Sequence, residues 1–234
     1  MHDAVVIGAG PGGLAAAAML KSKAGLKDVV VLERAGSVGA SWRAHYDRLH
    51  LHTVRWLSHL PGYRIPRRCG RWVARDDVVR YLEAYAVHHR LDIRFGVEAL
   101  RIDRTARAKA AAGTQAGAAA VREPPADAWC IATSAGEMEA RCVIVATGHN
   151  HTPHIPEWPG RAEFPGELLH ASKYRNAAPY EGKKVLVVGA GNTGAEIAVD
   201  LVEGGACSVW VAVRTPPHVI RREASACRRS PWAF

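Results

Sequence analysis

The chain opens with its apolar positions packed into one short block, Ala4-Val5-Val6-Ile7, that stops at Gly8. An Ala- and Leu-rich stretch follows from Leu14 to Lys23, and a second apolar block runs from Asp28 to Leu32. Two apolar strands around one helix within about 30 residues is the pattern of a parallel β-α-β unit. Residues 34–75 lose this periodicity and are dense in Gly, Pro, His, Arg and Trp. Asp76 and Asp77 then offer an N-cap to a helix whose Val78, Val79, Leu82 and Ala86 recur at helical spacing. Short strands are predicted at Ile93–Phe95, Ala99–Ile102, Trp129–Thr133 and Arg141–Val145, the last running into Ala146-Thr147-Gly148.

Residues 105–128 are almost half alanine and are broken by Gly113, Gly117 and Pro124-Pro125, so they read as a surface loop without chemistry. Residues 149–182 are irregular and Pro-rich, as a connector between domains would be. The opening pattern then returns as Lys184–Val188, a glycine cluster, a helix over Thr193–Val202, and Cys207–Val213. This internal repeat predicts an α/β protein with two Rossmann-type dinucleotide-binding domains, three-layered on a parallel sheet, the second incomplete. The predicted boundaries are 1–150 for the first domain, 151–182 for the linker, 183–223 for the partial second domain and 224–234 for an irregular tail.

Each repeat carries a glycine fingerprint between its first strand and its helix. The first is Gly8-Ala9-Gly10-Pro11-Gly12-Gly13. Glycines at this spacing allow a tight turn, backbone approach to a pyrophosphate, and close helix–strand packing, while the helix N-terminus presents free N–H groups to the phosphates. Glu33 follows Gly13 by 20 residues, where a carboxylate can accept hydrogen bonds from ribose hydroxyls. The second fingerprint is Gly189-Ala190-Gly191-Asn192-Thr193-Gly194, and 20 residues after it the sequence has Arg214 in place of an acid. An arginine pairs with a 2′-phosphate, so the second site is expected to prefer NADPH over NADH. Two dinucleotide sites in one chain imply electron transfer between two cofactors, and a flavin with a nicotinamide is the economical pair. With NADPH at the second site, FAD falls to the first.

Composition narrows the alternatives. The 234 residues are 48% hydrophobic and 23% charged, which fits a folded globular protein rather than a disordered or fibrous one. No apolar run reaches the length of a membrane span, and the N-terminus enters its first strand without room for a signal peptide, so a cytoplasmic protein is expected. The five cysteines, at 69, 130, 142, 207 and 227, include no C-x-x-C pair, which speaks against a disulfide framework, a cysteine zinc site and a redox dithiol. A net charge of +9, with basic residues scattered along the chain, fits anionic cofactors and needs no nucleic acid or membrane partner. The histidine groups His50-x-His52 and His149-x-His151-x-x-His154 have no nearby acidic ligand, and no metal site is expected.

The same residues resemble the class B flavin-dependent monooxygenases, in the flavin-containing branch that holds the bacterial and YUCCA-like enzymes. The resemblance spans residue 3 to about 223. It rests on Gly8–Gly13, Leu32-Glu33-Arg34, Gly39-x-x-Trp42, Tyr46–His52, Ala146-Thr147-Gly148, Pro156–Gly160 and the second fingerprint. Its most specific part is Phe164-Pro165-Gly166-Glu167-Leu168-Leu169-His170-Ala171-Ser172-Lys173-Tyr174, which matches the family's F-x-G-x-x-x-H-x-x-x-(F/Y/W) stretch between the fingerprints. The resemblance implies that Gly8, Gly10, Pro11, Gly12, Gly13, Glu33, Arg34, Ser41, Trp42, Thr147 and Gly148 serve FAD, with His52 and Thr53 on the segment beside the flavin. It assigns Gly189, Gly191, Asn192, Thr193, Gly194 and Arg214 to NADPH.

It further implies that NADPH reduces FAD and that reduced FAD captures O₂ as a C4a-(hydro)peroxide, which oxygenates a small organic substrate. No side chain is assigned a catalytic role; His170 is expected to order the linker. Val54 stands where animal-type members carry asparagine. Family members run longer and return to the FAD domain with a further strand, so this chain is expected to be truncated at its C-terminus. Two alternatives stay open on the residues alone: a flavoprotein reductase or oxidase, and a non-catalytic dinucleotide-binding fragment.

Overall fold

The computed structural model describes residues 1–104, 128–148, 150 and 152–216. Residues 105–127 of the alanine-rich loop, His149, His151 and everything after residue 216, including the predicted tail, lie outside the described residues. The contacts divide the chain into two compact units. The first comprises Met1–Arg43, Trp56–Cys69 and Asp76–Thr152; the second comprises Ala44–Arg55, Gly70–Arg75 and the chain from Pro153 onward.

The first unit is built on strands β1 (His2–Ile7), β2 (Val29–Glu33), β3 (Asp92–Phe95), β4 (Ala99–Arg104), β5 (Trp129–Thr133) and β6 (Gly136–Val145). They form one sheet in the order β3-β2-β1-β6-β5-β4. Strands β3, β2, β1 and β6 are mutually parallel, while β5 and β4 are added antiparallel to β6 and to each other. The sheet is therefore mixed, which corrects the expectation of a parallel one. Strands β5 and β6 are joined by a tight turn between Thr133 and Gly136, and antiparallel neighbours need no helical crossover.

Helix α1 (Pro11–Ser22) is the crossover between β1 and β2. It buries Gly13, Leu14, Ala17 and Ala18, small side chains that let it lie close on the strands. Pro11 at its first turn costs no hydrogen bond, because that N–H has no helical partner. A four-residue helix, α2, covers Ala40–Arg43. Helix α3 (Arg75–His88) buries Val78, Val79, Leu82 and Ala86 as the spacing predicts, and also Tyr81 and Tyr85. It begins one residue earlier than expected, so Asp76 and Asp77 occupy its first turn, where carboxylates favour the helix dipole. Val5, Ile7, Val30, Leu32, Ile131 and Ala140 form the apolar core on one face of this sheet.

The second unit contains β7 (Lys184–Val188), helix α4 (Asn192–Glu203) and β8 (Ser208–Ala212). The two strands pair in parallel, with Val185 opposite Val209 and Val188 opposite Ala212. Its core joins Ile197 and Leu201 of α4 to Tyr46, Tyr174 and Ala177, with Val185, Val187 and Val209 against them. Residues 44–55 and 70–75, which sequence spacing leaves in the first domain, thus group with the second glycine fingerprint. A bridge from His50 to Ala74, and the Leu51 N–H donating to the Val73 carbonyl, hold these two segments together.

Candidate functional site

In the first unit the order β3-β2-β1 is that of a mononucleotide-binding half, and the chain reverses direction across the sheet between β1 and β6. Gly8–Gly13 lies at the C-terminal end of β1 and Ala146–Gly148 at the C-terminal end of β6, so the two segments meet at this switch point. Gly8 has φ +108, and a side chain there would run into the Ala146 carbonyl. A methyl on Gly13 would run into the Gly8 carbonyl oxygen, which is why the helix can follow the strand only through glycine. Gly10 and Gly12 differ: a Cβ on either would meet nothing within 4 Å. Gly10 is the N-cap of α1 and supplies no side-chain cap, so the helix's first amides face that open ground. This is the cradle that a diphosphate fills, and the residues fit it.

Glu33 ends β2 beside the cradle. Its carboxylate accepts from the Ala9 N–H at 2.8 Å and from the Ala35 N–H at 2.9 Å. Those two bonds fix the carboxylate at the strand end, and each oxygen keeps a lone pair for a ribose hydroxyl. Gly39, at φ +66, donates its N–H to the Ala9 carbonyl at 3.2 Å and so folds the 34–39 loop back onto the fingerprint. Ser41 and Trp42 follow directly on α2. Arg34 points outward and pairs with Glu98 at 3.7 Å.

In the second unit Gly189 has φ +102, and Gly191 is the uncapped N-cap of α4. A Cβ on Gly191 would again meet nothing within 4 Å, and one on Gly194 would strike the Gly189 carbonyl oxygen; Gly189, unlike Gly8, has open space where a Cβ would stand. The second fingerprint thus repeats the first at its second and last glycines. Strand register refines one equivalence. Gly8 donates its N–H to the Leu32 carbonyl, and Gly189 donates to that of Ala212. Position 33 therefore corresponds to Val213, and Arg214 to Arg34. The crossover is one residue shorter in the second copy, so counting from the last glycine overshoots by one. The second strand end carries no carboxylate at all, and its arginine comes next.

The segment 46–52 and the stretch 164–174 are also organised in this unit. His170 caps a single 3₁₀ turn, Ala171–Lys173, by accepting the Ser172 N–H at its Nδ1. The Phe164 ring lies where a Gly166 side chain would project. Tyr174 is buried and donates its hydroxyl to Asp200 of α4 at 2.5 Å. The four fixed positions of this stretch, Phe164, Gly166, His170 and Tyr174, therefore each have a local packing or hydrogen-bonding task. Tyr46 donates to Glu196 at 2.8 Å, His52 Nε2 lies 3.1 Å from the other Glu196 oxygen, and Arg48 pairs with Glu203. Burial, then the hydrogen bonds to Glu196 and Asp200, push the Tyr46 and Tyr174 hydroxyls well above the usual phenol range. Asp47 accepts from Asn176 and from Arg75, which hold its carboxyl below the usual range. Sequence reading missed Glu196, Asp200 and Glu203. Their i, i+4, i+7 spacing on the predicted helix was the available signal.

Thr53, Thr147 and Gly148 are exposed loop residues, and Gly148 has φ +76. Among the described residues no three His, Cys, Asp or Glu side chains gather as a metal site, and no helix is long and apolar enough to cross a membrane.

The profile of the pyridine nucleotide-disulphide oxidoreductases matches residues 5–119 and again 114–233, one match on each fingerprint. The chain belongs to that family. Its relatives are flavin monooxygenases. It is 39% identical over 224 residues to indole-3-pyruvate monooxygenase YUCCA1 of Oryza sativa subsp. japonica, covering 94% of this chain and 50% of the relative. It is 38% identical over 223 residues to YUCCA4 of the same plant, covering 94% and 49%. Among solved structures, the flavin-containing monooxygenase of Stenotrophomonas maltophilia aligns with a TM-score of 0.78 and 28% identity, over 94% of this chain and 60% of that one. The chain spans about half the length of the curated relatives it matches. The fold is α/β with Rossmann-type units, as these neighbours have.

Proposed function

We propose that this chain carries the two nucleotide sites of an NADPH- and FAD-dependent monooxygenase, which transfers one oxygen atom of O₂ to a small organic substrate. The observation that carries the reading is the repeated cradle. Two strand–glycine–helix turns stand open at their second glycine, one flanked by a fixed carboxylate and the other by an arginine. In this reading residues 1–150 form the FAD-binding domain and 183–223 part of the NADP-binding domain.

FAD would lie on Gly8, Gly10, Pro11, Gly12 and Gly13, with Glu33 on its ribose and Arg34, Ser41, Trp42, Thr147 and Gly148 around it. His52 and Thr53 would lie on the segment that runs beside it. NADPH would lie on Gly189, Gly191, Asn192, Thr193 and Gly194, with Arg214 at its 2′-phosphate. When bound, the flavin supplies hydride acceptance and oxygen activation. The chain's own task is to bind and orient: amides of α1 and α4 neutralise diphosphate charge, and Glu33 fixes a sugar. A disulfide-exchanging role fits less well, because the sequence has no C-x-x-C dithiol.

The test is an absorbance spectrum of the purified chain after incubation with FAD, followed by anaerobic NADPH. The expected outcome is bands near about 370 and 450 nm that bleach on NADPH addition. A protein that stays colourless overturns the first-site assignment. Bands that NADPH leaves unchanged overturn the second.

A further inference from the structure

Helix α4 does more than begin at a glycine fingerprint. Three acids on one of its faces hold the inserted segment 46–52 and the linker tyrosine. Glu196 takes Tyr46 and His52, Asp200 takes Tyr174, and Glu203 takes Arg48. Among these, Glu196 is nearest the fingerprint, only two residues past Gly194. A rise of 1.5 Å per residue puts it about 7.5 Å along the axis from the Gly191 N-cap, and helical side chains lean back toward the N-terminus. That is within the Debye length of about 8 Å at physiological salt.

We propose that Glu196 is a positioning residue that ties the orientation and protonation of His52 to nucleotide binding at the second fingerprint. The inference rests on that fingerprint being a nucleotide site, as proposed above. Its physical content is electrostatic linkage. One Glu196 oxygen is taken by the Tyr46 hydroxyl, which leaves the other to face the His52 ring at 3.1 Å. The Glu196 side chain is only 17% exposed, against 36% for His52, so the pair is partly shielded from water. A diphosphate on the α4 amides adds negative charge close to this pair. The added charge favours the imidazolium, and the imidazolium in turn neutralises a carboxylate that would otherwise repel the diphosphate. Linkage makes the two effects equal in size.

Other groups around the pair are already committed. Asp200 accepts from Tyr174, and Arg48 pairs with Glu203. His50 Nδ1 lies 2.6 Å from the Arg48 carbonyl oxygen, and Asp47 is held by Arg75, Asn176 and Arg175. Glu196 is thus the charged group placed to report nucleotide to His52.

The experiment follows the His52 Cε1–H proton resonance of the full 234-residue chain against pH, with and without saturating NADP⁺, in wild type and Glu196→Gln. The expected result is a His52 midpoint raised by about 0.5 pH unit on NADP⁺ binding in wild type, and raised clearly less in Glu196→Gln, where the ring is no longer held toward α4. By linkage, NADP⁺ binds wild type about threefold more tightly below the His52 midpoint than above it, a ratio that Glu196→Gln reduces and His52→Gln abolishes. The nucleotide's own 2′-phosphate titrates identically with every chain, so the difference between variants isolates the pair. His52→Gln also keeps the comparison alive where Glu196→Gln fails to fold. NADP⁺ binding without a midpoint shift, or with equal shifts in both chains, overturns the inference and leaves the proposed function standing. No binding of NADP⁺ by wild type overturns both.

Discussion

Single residues divide the glycine fingerprints into positions where a side chain collides and positions that stand open. Gly13 is held to glycine by packing, because a Cβ there collides with the Gly8 carbonyl. Gly10 has extended backbone at φ −79, which any residue adopts, and open ground in front of it. Gly13→Ala is therefore expected to cost about 3 kcal/mol, as overpacking does, read as a fall in the unfolding midpoint. Gly10→Ala is expected to change stability by less than about 0.5 kcal/mol while the purified protein loses its flavin bands. Flavin retained at wild-type occupancy in Gly10→Ala would remove the diphosphate from this turn. Arg214 is the corresponding residue for the second site. Arg214→Ala is expected to weaken NADP⁺ by about 1–3 kcal/mol, the scale of a lost charge-assisted hydrogen bond, and NAD⁺ scarcely at all. Equal losses for both nucleotides, measured by titration, would leave Arg214 without a 2′-phosphate role. Both glycine classes and the arginine are legible in the sequence. The counterpart of Glu33 in the second copy is not, since only strand register shows that Val213 takes that position.

At the level of elements, the β7–β8 pair shows how alternation decides burial. Val185, Val187 and Val209 face the core of α4, whereas Leu186, Val188 and Trp210 are 59%, 68% and 52% exposed on the other face. An apolar side chain that keeps most of its surface in water contributes little, so the two faces should respond differently to substitution. Leu201→Ala, at 1% exposure on α4, is expected to cost about 2–5 kcal/mol. Val188→Thr is expected to stay within about 0.5 kcal/mol, both read from denaturant midpoints at constant slope. A large loss at Val188 would mean that this face is covered in solution. Element positions were legible because each has its own period: two apolar blocks around a helix, twice, with ends displaced by a residue or two. The early start of α3 at Arg75 escaped notice because Asp76 and Asp77 suit a cap and a first turn equally.

For the whole molecule, the sequence by itself determined that there are two strand–glycine–helix turns, in which order they occur, and that the first is followed by a carboxylate at Glu33. These are local matters: a glycine turn, the strand before it and the helix after it lie within some 30 residues, and their chemistry follows from backbone geometry and spacing. The tertiary structure alone decided two things. It set strand pairing: β1 with β6 and β2 with β3, whose partners are far apart in sequence so that periodicity carries no record of them, and β5 and β4 added antiparallel beside β6. It also decided that residues 44–55, sequentially inside the first unit, group with the second. The reason is that Tyr46, Arg48 and His52 find their hydrogen-bonding and charge partners on α4, some 150 residues away. A buried hydroxyl or a charge needs a partner wherever the fold supplies one, and no window of sequence contains both ends of such a bond.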